Sequence, residues 1–439
     1  MSWARDELKT IELGDARLNK RAMLLAERLA ANPTASIPGA CGGWAETQAA
    51  YRFLAQDDID WQDILKPHWQ SSVQRMQAEP VVLCIQDTTE LNFNGQEIQG
   101  LGPLSYEAQR GMYVHPTYAI TPEREPLGVL DAWMWARELK DADGVRGGVK
   151  ESTRWVEGYE RLAELSADLP ETRLVYVADR ESDMLALMVK ARDLGEPVDW
   201  LVRGQHNRNL VGGGKLREHV GAAEVLGSIR FTLPARQNRK ARLVTLEIRC
   251  RRVAIPDGAG GQVDVTCIVA GESTAGTDRV EWCLLTNRLA DTLESATEYL
   301  DWYRARWEIE MFFNILKNGC RVEALQLATM ERLERALALF MVVSWRIARL
   351  MRLGRTCPEL DAGLLFEREE WQAAYILNKK RPPDKAPGLN EVIRLTAMLG
   401  GFLARKGDGE PGAKTLWIGM QRVADFADGL RYAREYRLT

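Results

Sequence analysis

The chain has 439 residues, of which 46% are hydrophobic and 27% charged, an ordinary composition for a globular protein of two to four domains. Its apolar runs are far shorter than the ~20 residues of a membrane span, and its first residues lack the apolar core of a secretory signal. The net charge of −4, averaged over the whole chain, argues mildly against a nucleic-acid partner.

Seven cysteines and four histidines are scattered along the chain without a Cys-x-x-Cys pair or a cysteine–histidine cluster. This pattern favours reduced thiols, a cytoplasmic location and no structural zinc. Because the histidines are isolated from one another, we expect any metal ion to be held by carboxylates. We also expect no membrane partner.

The first 76 residues have the apolar spacing of helices, which is clearest in DARLNKRAMLLAERLAAN. Arg17, Lys20 and Arg21 fall on one side of this first long helix, at spacings of three and four residues. A solvated charged face accounts for these three cations as well as a DNA-binding face does.

After residue 76 the pattern changes to alternating strands and helices. The short apolar runs PVVLCIQD and RLVYVAD end in Asp87 and Asp179. Between them, HPTYAITPEREPLGVLDAWMWARE predicts two strands joined by a turn, and ESTRWVEGYERLAELSADL predicts a helix. This order indicates a mixed sheet with helices packed on it.

Strand signals dominate from about residue 199 to 287 and predict a β-rich insertion into the α/β pattern. Residues 201–252 contain twelve Lys or Arg against three Glu, so the insertion is basic although the chain is acidic. A basic surface of this kind suggests a polyanionic partner. Helical patterns resume near Thr292 and continue into a helical tail.

The stretch DWYRARWEIEMFFNILKNG, residues 301–319, has no proline and ends in glycine, so it predicts one helix. At about 100° per residue, Tyr303, Arg306, Glu310 and Lys317 lie in one narrow stripe of that helix. A plain stripe of ion pairs explains this arrangement. A site where a metal ion meets phosphate explains it too, because carboxylates bind the ion and cations bind phosphate oxygens.

A carboxylate directly after a buried strand emerges where α/β proteins place their functional sites. Asp87 and Asp179 both have that position, although aspartate there is also a common turn former. Together with Glu310 they could form an all-oxygen ligand set, which Mg²⁺ prefers. Two such ions can activate an attacking oxygen and stabilise a leaving one in phosphodiester chemistry.

The pattern Y-x2-R-x3-E-x6-K at residues 303–317 resembles the signature of the insertion-sequence-four family of DDE transposases. QDTTELNF and ADRESDM are similar to the blocks that hold the family's first and second catalytic aspartates. LGDARLNKR and AAYRFL resemble its DNA-binding helices, and DWLVRGQHNR and EWCLLTN its β-rich insertion. LGGFLARKGDGEPGAKTLWIGMQRV resembles its closing segment, so the similar blocks follow the family's order along nearly the whole chain.

This resemblance implies an α/β fold: an RNase H-like catalytic core with a β-rich insertion, flanked by helical N-terminal DNA-binding and C-terminal domains. The implied boundaries are 1–76 for the DNA-binding domain and 77–356 for the catalytic domain, with its insertion at about 199–287. The remaining residues, 357–439, would form the C-terminal domain and pair two copies of the chain.

The resemblance also implies roles for individual residues. Asp87, Asp179 and Glu310 would be the catalytic residues and would bind two Mg²⁺ ions, for which Mn²⁺ substitutes. The side chains that would contact DNA are Tyr303, Arg306, Lys317, Trp282, Arg203, Arg17, Lys20 and Arg21.

Trp282 stands 21 residues before Tyr303, the family's spacing for a tryptophan that stacks on a flipped base. The alternative for Trp282 is a core aromatic on a strand. The implied activity is cut-and-paste transposition in a bacterial cytoplasm. It comprises Mg²⁺-dependent hydrolysis at double-stranded transposon ends, hairpin formation, and transfer of the 3′-hydroxyl into target DNA by a homodimer.

Two other functions fit part of this pattern. A non-catalytic DNA-binding protein, such as an inhibitor derived from a transposase, has no physical need for three acids with flanking cations. A plain nuclease of RNase H-like fold needs neither the end-recognition helices nor the stacking tryptophan. The sequence therefore favours the transposase over both.

Overall fold

The computed structural model describes residues 3–233, 240–273 and 279–436. Its first part is helical, and side chains at the helix starts explain where two of the longer helices begin: Asp15 and Asp60 accept backbone N–H groups as N-caps. The N-terminal helices are α1 (Trp3–Glu7), α2 (Ala16–Ala31), α3 (Ile37–Ala40), α4 (Trp44–Leu54) and α5 (Trp61–Met76).

Strands and helices alternate in the next part, as the sequence predicts. The two strands expected between Asp87 and Asp179 are both present and form a hairpin. The elements are β1 (Val81–Gln86), β2 (Thr89–Asn92), β3 (Gly102–Pro103), β4 (Arg110–Ile120), β5 (Pro126–Trp135), α6 (Thr153–Ser166), β6 (Arg173–Ala178), α7 (Leu185–Asp193) and β7 (Asp199–Arg203).

The centre of the sheet has the strand order β5–β4–β1–β6–β7. β4 is antiparallel to both β1 and β5, whereas β1, β6 and β7 are parallel to one another. The apolar runs of β1 and β6 are buried almost throughout, because helices cover these central strands. This arrangement is the RNase H-like core that the sequence predicts, and the predicted fold class is confirmed.

The β-rich insertion continues the same sheet instead of forming a separate one. β11 pairs with β7, and β10, β9 and β8 follow in that order. β7, which the sequence assigns to the insertion, pairs in parallel with β6 and is therefore the fifth strand of the core. The elements after β7 are α8 (Leu216–Gly221), β8 (Val225–Leu233), β9 (Arg242–Pro256), β10 (Gln262–Gly271) and β11 (Glu281–Thr286).

The C-terminal part is helical and is organised around one long helix that is buried along most of its length. This helix, α11, packs against α5 and β5 of the preceding parts and against α13. Among the described residues, no helix has the length and apolar character needed to cross a membrane. The helices are α9 (Leu293–Ala305), α10 (Glu308–Asn314), α11 (Met330–Thr356), α12 (Arg368–Leu377), α13 (Leu389–Leu399) and α14 (Ala413–Glu435).

Residues 301–319 do not form the single helix that the sequence predicts. α9 ends at Ala305, and the N–H of Arg306 bonds to the Tyr303 carbonyl at 3.1 Å, only three residues back. The last five residues, Ile315–Gly319, form a π turn. No glycine or proline marks the break at Arg306. The prediction of one continuous helix is therefore wrong.

Candidate active site

The two aspartates follow neighbouring parallel strands. Asp87 comes directly after β1 and Asp179 directly after β6, and the register between these strands pairs Gln86 with Ala178. Asp87 and Asp179 are therefore the next residues on two adjacent strands that end at the same edge of the sheet. That edge is where open α/β sheets place their sites.

The Asp87 carboxylate has two hydrogen-bond donors and lies near two other negative charges. Its Oδ1 accepts the Thr88 N–H at 2.8 Å, and its Oδ2 accepts a hydrogen bond from Arg306. Burial, together with the charges of Asp179 and Glu310, outweighs Arg306 and raises the pKa of Asp87 to about 6. Three acids from distant parts of the chain therefore share one electrostatic neighbourhood.

Arg306 is the counter-ion of these three acids. Its side chain is 12% exposed and pairs with Asp87, and its guanidinium lies 5.9 Å from the centre of the Tyr303 ring. Burial disfavours the charge, but Asp87, Tyr303, Asp179 and Glu310 keep the pKa of Arg306 above its usual value. Tyr303 itself is buried, so it supports Arg306 from the protein side.

Lys317 lies beside β2, the strand that continues from Asp87. Its Nζ donates to the Glu90 carbonyl at 2.8 Å and is 3.5 Å from a carboxylate oxygen of Glu323. Glu90 is three residues beyond Asp87, so Lys317 borders the site on the side opposite to Asp179's strand. Arg306, from the break after α9, thus contacts the first aspartate, and Lys317, from the π turn, lies beside the strand that follows it.

The three acids, Asp87, Asp179 and Glu310, have the ligand atoms that a divalent cation needs, but their carboxylates are too far apart to bind one ion as they are placed. Within residues 3–233, 240–273 and 279–436, no three His, Cys, Asp or Glu side chains are close enough to hold a metal ion as placed. The donors are all oxygens, which a hard cation prefers. The pKa of Asp87 is raised by burial and also by the charges of Asp179 and Glu310, and a cation would offset those charges. Arg306 occupies the Asp87 carboxylate, so an ion would compete with it.

The two predicted DNA-contacting residues of the insertion lie on paired strands. Arg203 is the last residue of β7 and stands opposite Leu284 of β11. Trp282, also on β11, is half-buried and stacks on Phe231 with ring centres 5.6 Å apart and planes 11° apart. That stacking is the packing expected of a core aromatic, so the role of Trp282 in DNA binding stays a prediction.

The three cations of α2 lie apart from the acids. Arg17 and Lys20 are exposed and Arg21 is half-buried, on the face of α2 that points away from its buried residues. Arg17 pairs with the cap residue Asp15 at 2.8 Å. Because α2 packs on α4, α11 and α14, these cations belong to a separate surface of the protein.

A buried polar network behind Asp87 escaped the sequence analysis. Thr88 Oγ1 is 2.8 Å from His115 Nδ1, His115 Nε2 is 3.3 Å from Gln86 Oε1, and Gln86 Nε2 donates to Thr117 Oγ1 at 2.8 Å. Burial lowers the pKa of His115 to about 3, so its ring is neutral. The only sequence signal was polar residues at alternate positions: Gln86 and Thr88 at the end of β1 and just after it, and His115 and Thr117 within β4.

Three family models, all of transposases, match the chain. The model described as Transposase DNA-binding matches residues 1–59. The Transposase DDE domain model matches residues 154–345, and the Transposase Tn5 dimerisation domain model matches residues 342–439. Asp179 and Glu310 lie inside the DDE match.

A cryo-EM structure of a piggyBac transposase synaptic complex with hairpin DNA is also similar. The likeness covers 99% of this chain and 80% of that one, at 9% identity and a TM-score of 0.40, which is too low to carry an argument.

Asp87 lies between the first two family matches, and its place in the site depends on the register of β1 with β6. By the three models together, the chain belongs to the Tn5-like DDE transposases.

Proposed function

We propose that this chain is a cut-and-paste transposase, which hydrolyses phosphodiester bonds at transposon ends and then joins the 3′-hydroxyl to target DNA. One observation carries the proposal: Asp87 and Asp179 follow adjacent parallel strands, and the charge of Glu310 acts on the same carboxylate. Carboxylates arranged in this way, beside cations that can bind phosphate, suit phosphodiester chemistry.

In this proposal Asp87, Asp179 and Glu310 hold two Mg²⁺ ions, and Mn²⁺ substitutes for them. The chemistry that the bound ions supply is activation of an attacking oxygen and stabilisation of a leaving oxygen. The hairpin intermediate and the homodimer implied by the family belong to the same proposal. The match to the Tn5 dimerisation domain supports the pairing of two copies.

Arg306 has two successive roles. In the free protein it offsets the charge of Asp87, which is otherwise repelled by its neighbours. When DNA enters, a phosphate oxygen can replace the carboxylate, because guanidinium binds both in the same forked geometry. Lys317, held at the Glu90 carbonyl, provides a second cation on the β2 side of the site.

Double-stranded DNA is the substrate and the partner. The exposed face of α2, with Arg17, Lys20 and Arg21, lies inside the matched DNA-binding region and contacts the terminal repeat. Arg203 and Trp282 contact the DNA nearer the cleaved end. Trp282 would then exchange its Phe231 stacking for a base, which the similar strength of such contacts allows.

The test is to incubate the purified protein with Mg²⁺ and a DNA fragment that ends in its own element's terminal repeat. A transposase nicks the end, forms the hairpin and joins the end to target DNA. Binding without nicking would indicate a non-catalytic DNA-binding protein, and nicking without joining would indicate a plain nuclease.

Two variants make the assay specific to the three acids. Asp179→Asn removes one negative charge from the strand end and should abolish nicking. Glu181→Gln removes an exposed acid only two residues away and should leave nicking intact. Equal activity of the two variants would contradict the assignment.

A further inference from the structure

β1 and β2 run along β4 as one interrupted strand. On β1 the register pairs Gln86 with Thr117, and on β2 it pairs Thr89 with Val114. The register is the same on both sides, so the interruption consists only of residues 87–88. The first catalytic aspartate, Asp87, therefore lies in a two-residue interruption of a strand that is otherwise continuous.

The residues opposite the break explain its form. Continuing the register places Pro116 opposite Asp87 and His115 opposite Thr88. Pro116 has no N–H to donate to either neighbouring strand, which favours a gap in the ladder at this point. Opposite residues share a face of the sheet, so His115 and Thr88 lie together, on the face away from Asp87.

The hydrogen bonds of the network determine which atom of each pair carries the proton. Gln86 donates to Thr117 through Nε2, so its Oε1 accepts from His115 Nε2–H. The ring is neutral, and its Nδ1 is then an acceptor for the Thr88 hydroxyl at 2.8 Å. The hydroxyl hydrogen of Thr88 is thus directed into the protein, and every member of the network has a partner.

The network is also tightly enclosed. The rings of Trp133 and Trp155 lie 5.6 and 4.5 Å from His115, at steep angles to it, and leave the histidine 1% exposed. On α6, Gly158 lies against the Gln86 amide so closely that an added Cβ would come within 2.1 Å of Nε2. Neither His115 nor Gln86 has room to change its position.

We propose that His115 is a positioning residue for Asp87 and acts through Thr88. The Thr88 N–H donates to Asp87 Oδ1, and the Thr88 hydroxyl is tied to the enclosed ring. His115 therefore fixes the peptide that orients the carboxylate, although it does not touch the carboxylate itself. The inference rests on the proposed function, in which Asp87 is catalytic.

A fixed peptide matters here because the carboxylate has to exchange partners. In the proposed reaction Asp87 gives up Arg306, and repulsion from the neighbouring acids then acts on a two-residue link without strand hydrogen bonds. Groups behind a ligand that hold its orientation commonly change metal affinity or activity 10–100-fold when they are lost.

The test compares Thr88→Val with Thr88→Ser. Valine keeps the shape of threonine but removes the hydroxyl, whereas serine keeps the hydroxyl. We expect Thr88→Val to lower the rate of nicking at saturating DNA roughly 10–100-fold and to raise the Mn²⁺ concentration that gives half the maximal rate. Thr88→Ser should recover most of the rate, and both variants should bind transposon ends as tightly as the wild type.

A second readout does not depend on catalysis. Mn²⁺ that binds only the folded protein raises its melting temperature, and at a fixed Mn²⁺ concentration the rise is larger the tighter the binding. The rise seen with the wild type should shrink for Thr88→Val and for His115→Gln. Combining these two substitutions should cost no more than the worse one alone, because both interrupt the same connection.

His68→Gln is the matched control, since His68 is also fully buried and bonded through both ring nitrogens, but to Glu7 and to the Val129 N–H. It should lower the melting temperature without changing the Mn²⁺ requirement per folded protein. If His115→Gln behaves in the same way, or Thr88→Val keeps the wild-type rate and Mn²⁺ requirement, His115 is only structural and the inference fails.

The same experiments separate this inference from the proposed function. A wild-type protein that binds ends but neither nicks them nor gains stability from Mn²⁺ overturns the proposed function, and the inference with it. If His115→Gln does not fold, the two Thr88 variants decide the question by themselves.

Discussion

Glu7 is a buried carboxylate and Asp87 a largely buried one, and each is paired with an arginine, yet their pKa values move in opposite directions. Burial favours the neutral acid at both. At Glu7, burial is outweighed by electrostatic and hydrogen-bond contacts with His68 and Arg75, which lower the pKa to about 2. At Asp87, burial prevails and the pKa rises to about 6.

The contacts explain the difference. Glu7 accepts His68 Nδ1–H at 2.5 Å and two hydrogen bonds from Arg75 at 2.9 and 3.0 Å. His68 Nε2 accepts the Val129 N–H, so the ring is neutral and its proton lies on the Glu7 side. We call Glu7, His68 and Arg75 the Glu7 clamp; it ties α1 to α5, and through Val129 to β5.

Asp87 accepts fewer hydrogen bonds than Glu7 and lies near other negative charges. It accepts one backbone N–H and one arginine, and two more acids act on it. A carboxylate whose hydrogen bonds are all made stabilises the fold. A carboxylate that has few donors and is repelled by neighbouring acids can still gain binding energy from a ligand such as a cation. Four predictions test that distinction.

Asp87→Asn should have the largest effect on activity and little effect on stability. We expect nicking to fall by about a thousandfold or more, the scale of losing a catalytic group, with end binding within a few-fold of the wild type. Without metal, the melting temperature should change little, because Asp179 and Glu310 still offset the charge of Arg306 when Asp87 is neutral. A pronounced loss of melting temperature would show that Asp87 is a structural acid like Glu7.

Glu7→Gln should show the reverse. Removing one partner of a buried ion pair leaves Arg75 uncompensated, so the free energy of unfolding should fall by about 3–5 kcal/mol. Nicking per folded molecule should be unchanged. Denaturant unfolding measures the loss, and Asp6→Asn, an exposed acid on the same helix, is the control. A loss of nicking without a loss of stability would contradict the comparison.

The Glu7 clamp should also give the protein a defined acid sensitivity. Because the folded-state pKa of Glu7 is about 2 and its ordinary value is 4.5, its contribution is complete above about pH 4.5 and is lost as the pH falls towards 2. The difference in unfolding free energy between wild type and Glu7→Gln should therefore shrink over that range. A difference that stays constant from pH 5 to pH 3 would refute the lowered pKa.

The sequence predicted some of these features because they are local. An apolar run that ends in an acid reveals a strand and its end, so Asp87 and Asp179 could be placed at one edge of a sheet from their own neighbours. The spacing of Arg17, Lys20 and Arg21 likewise puts them on one face of α2 without knowledge of the rest of the fold.

Other features depend on partners far along the chain. Glu7 and His68 are 61 residues apart, and Thr88 and His115 are 27 apart, so only the register of packed elements brings them together. The helix break at Arg306 has no local signal either. It occurs where the side chain reaches Asp87, 219 residues earlier, and a helical wheel contains no information about such a contact.

The smallest expected effect concerns DNA binding by two cations on the surface of α2, one of them paired with an acid and the other not. Arg17 shares its charge with Asp15 through three side-chain hydrogen bonds, whereas Lys20 has no ion-pair partner among the residues that the structure describes. If both contact DNA phosphates, Lys20→Gln should reduce the log–log salt slope of end binding by about 0.9, and Arg17→Gln by less. A titration of end binding over a salt series measures both slopes. Equal reductions would contradict this prediction and would mean that DNA separates Arg17 from Asp15, an exposed pair that water already screens. The Glu7 clamp is buried, so DNA cannot separate its ion pair in this way. A carboxylate therefore stays paired with its arginine when the pair is buried and all its hydrogen bonds are made. An exposed ion pair without these features can be separated.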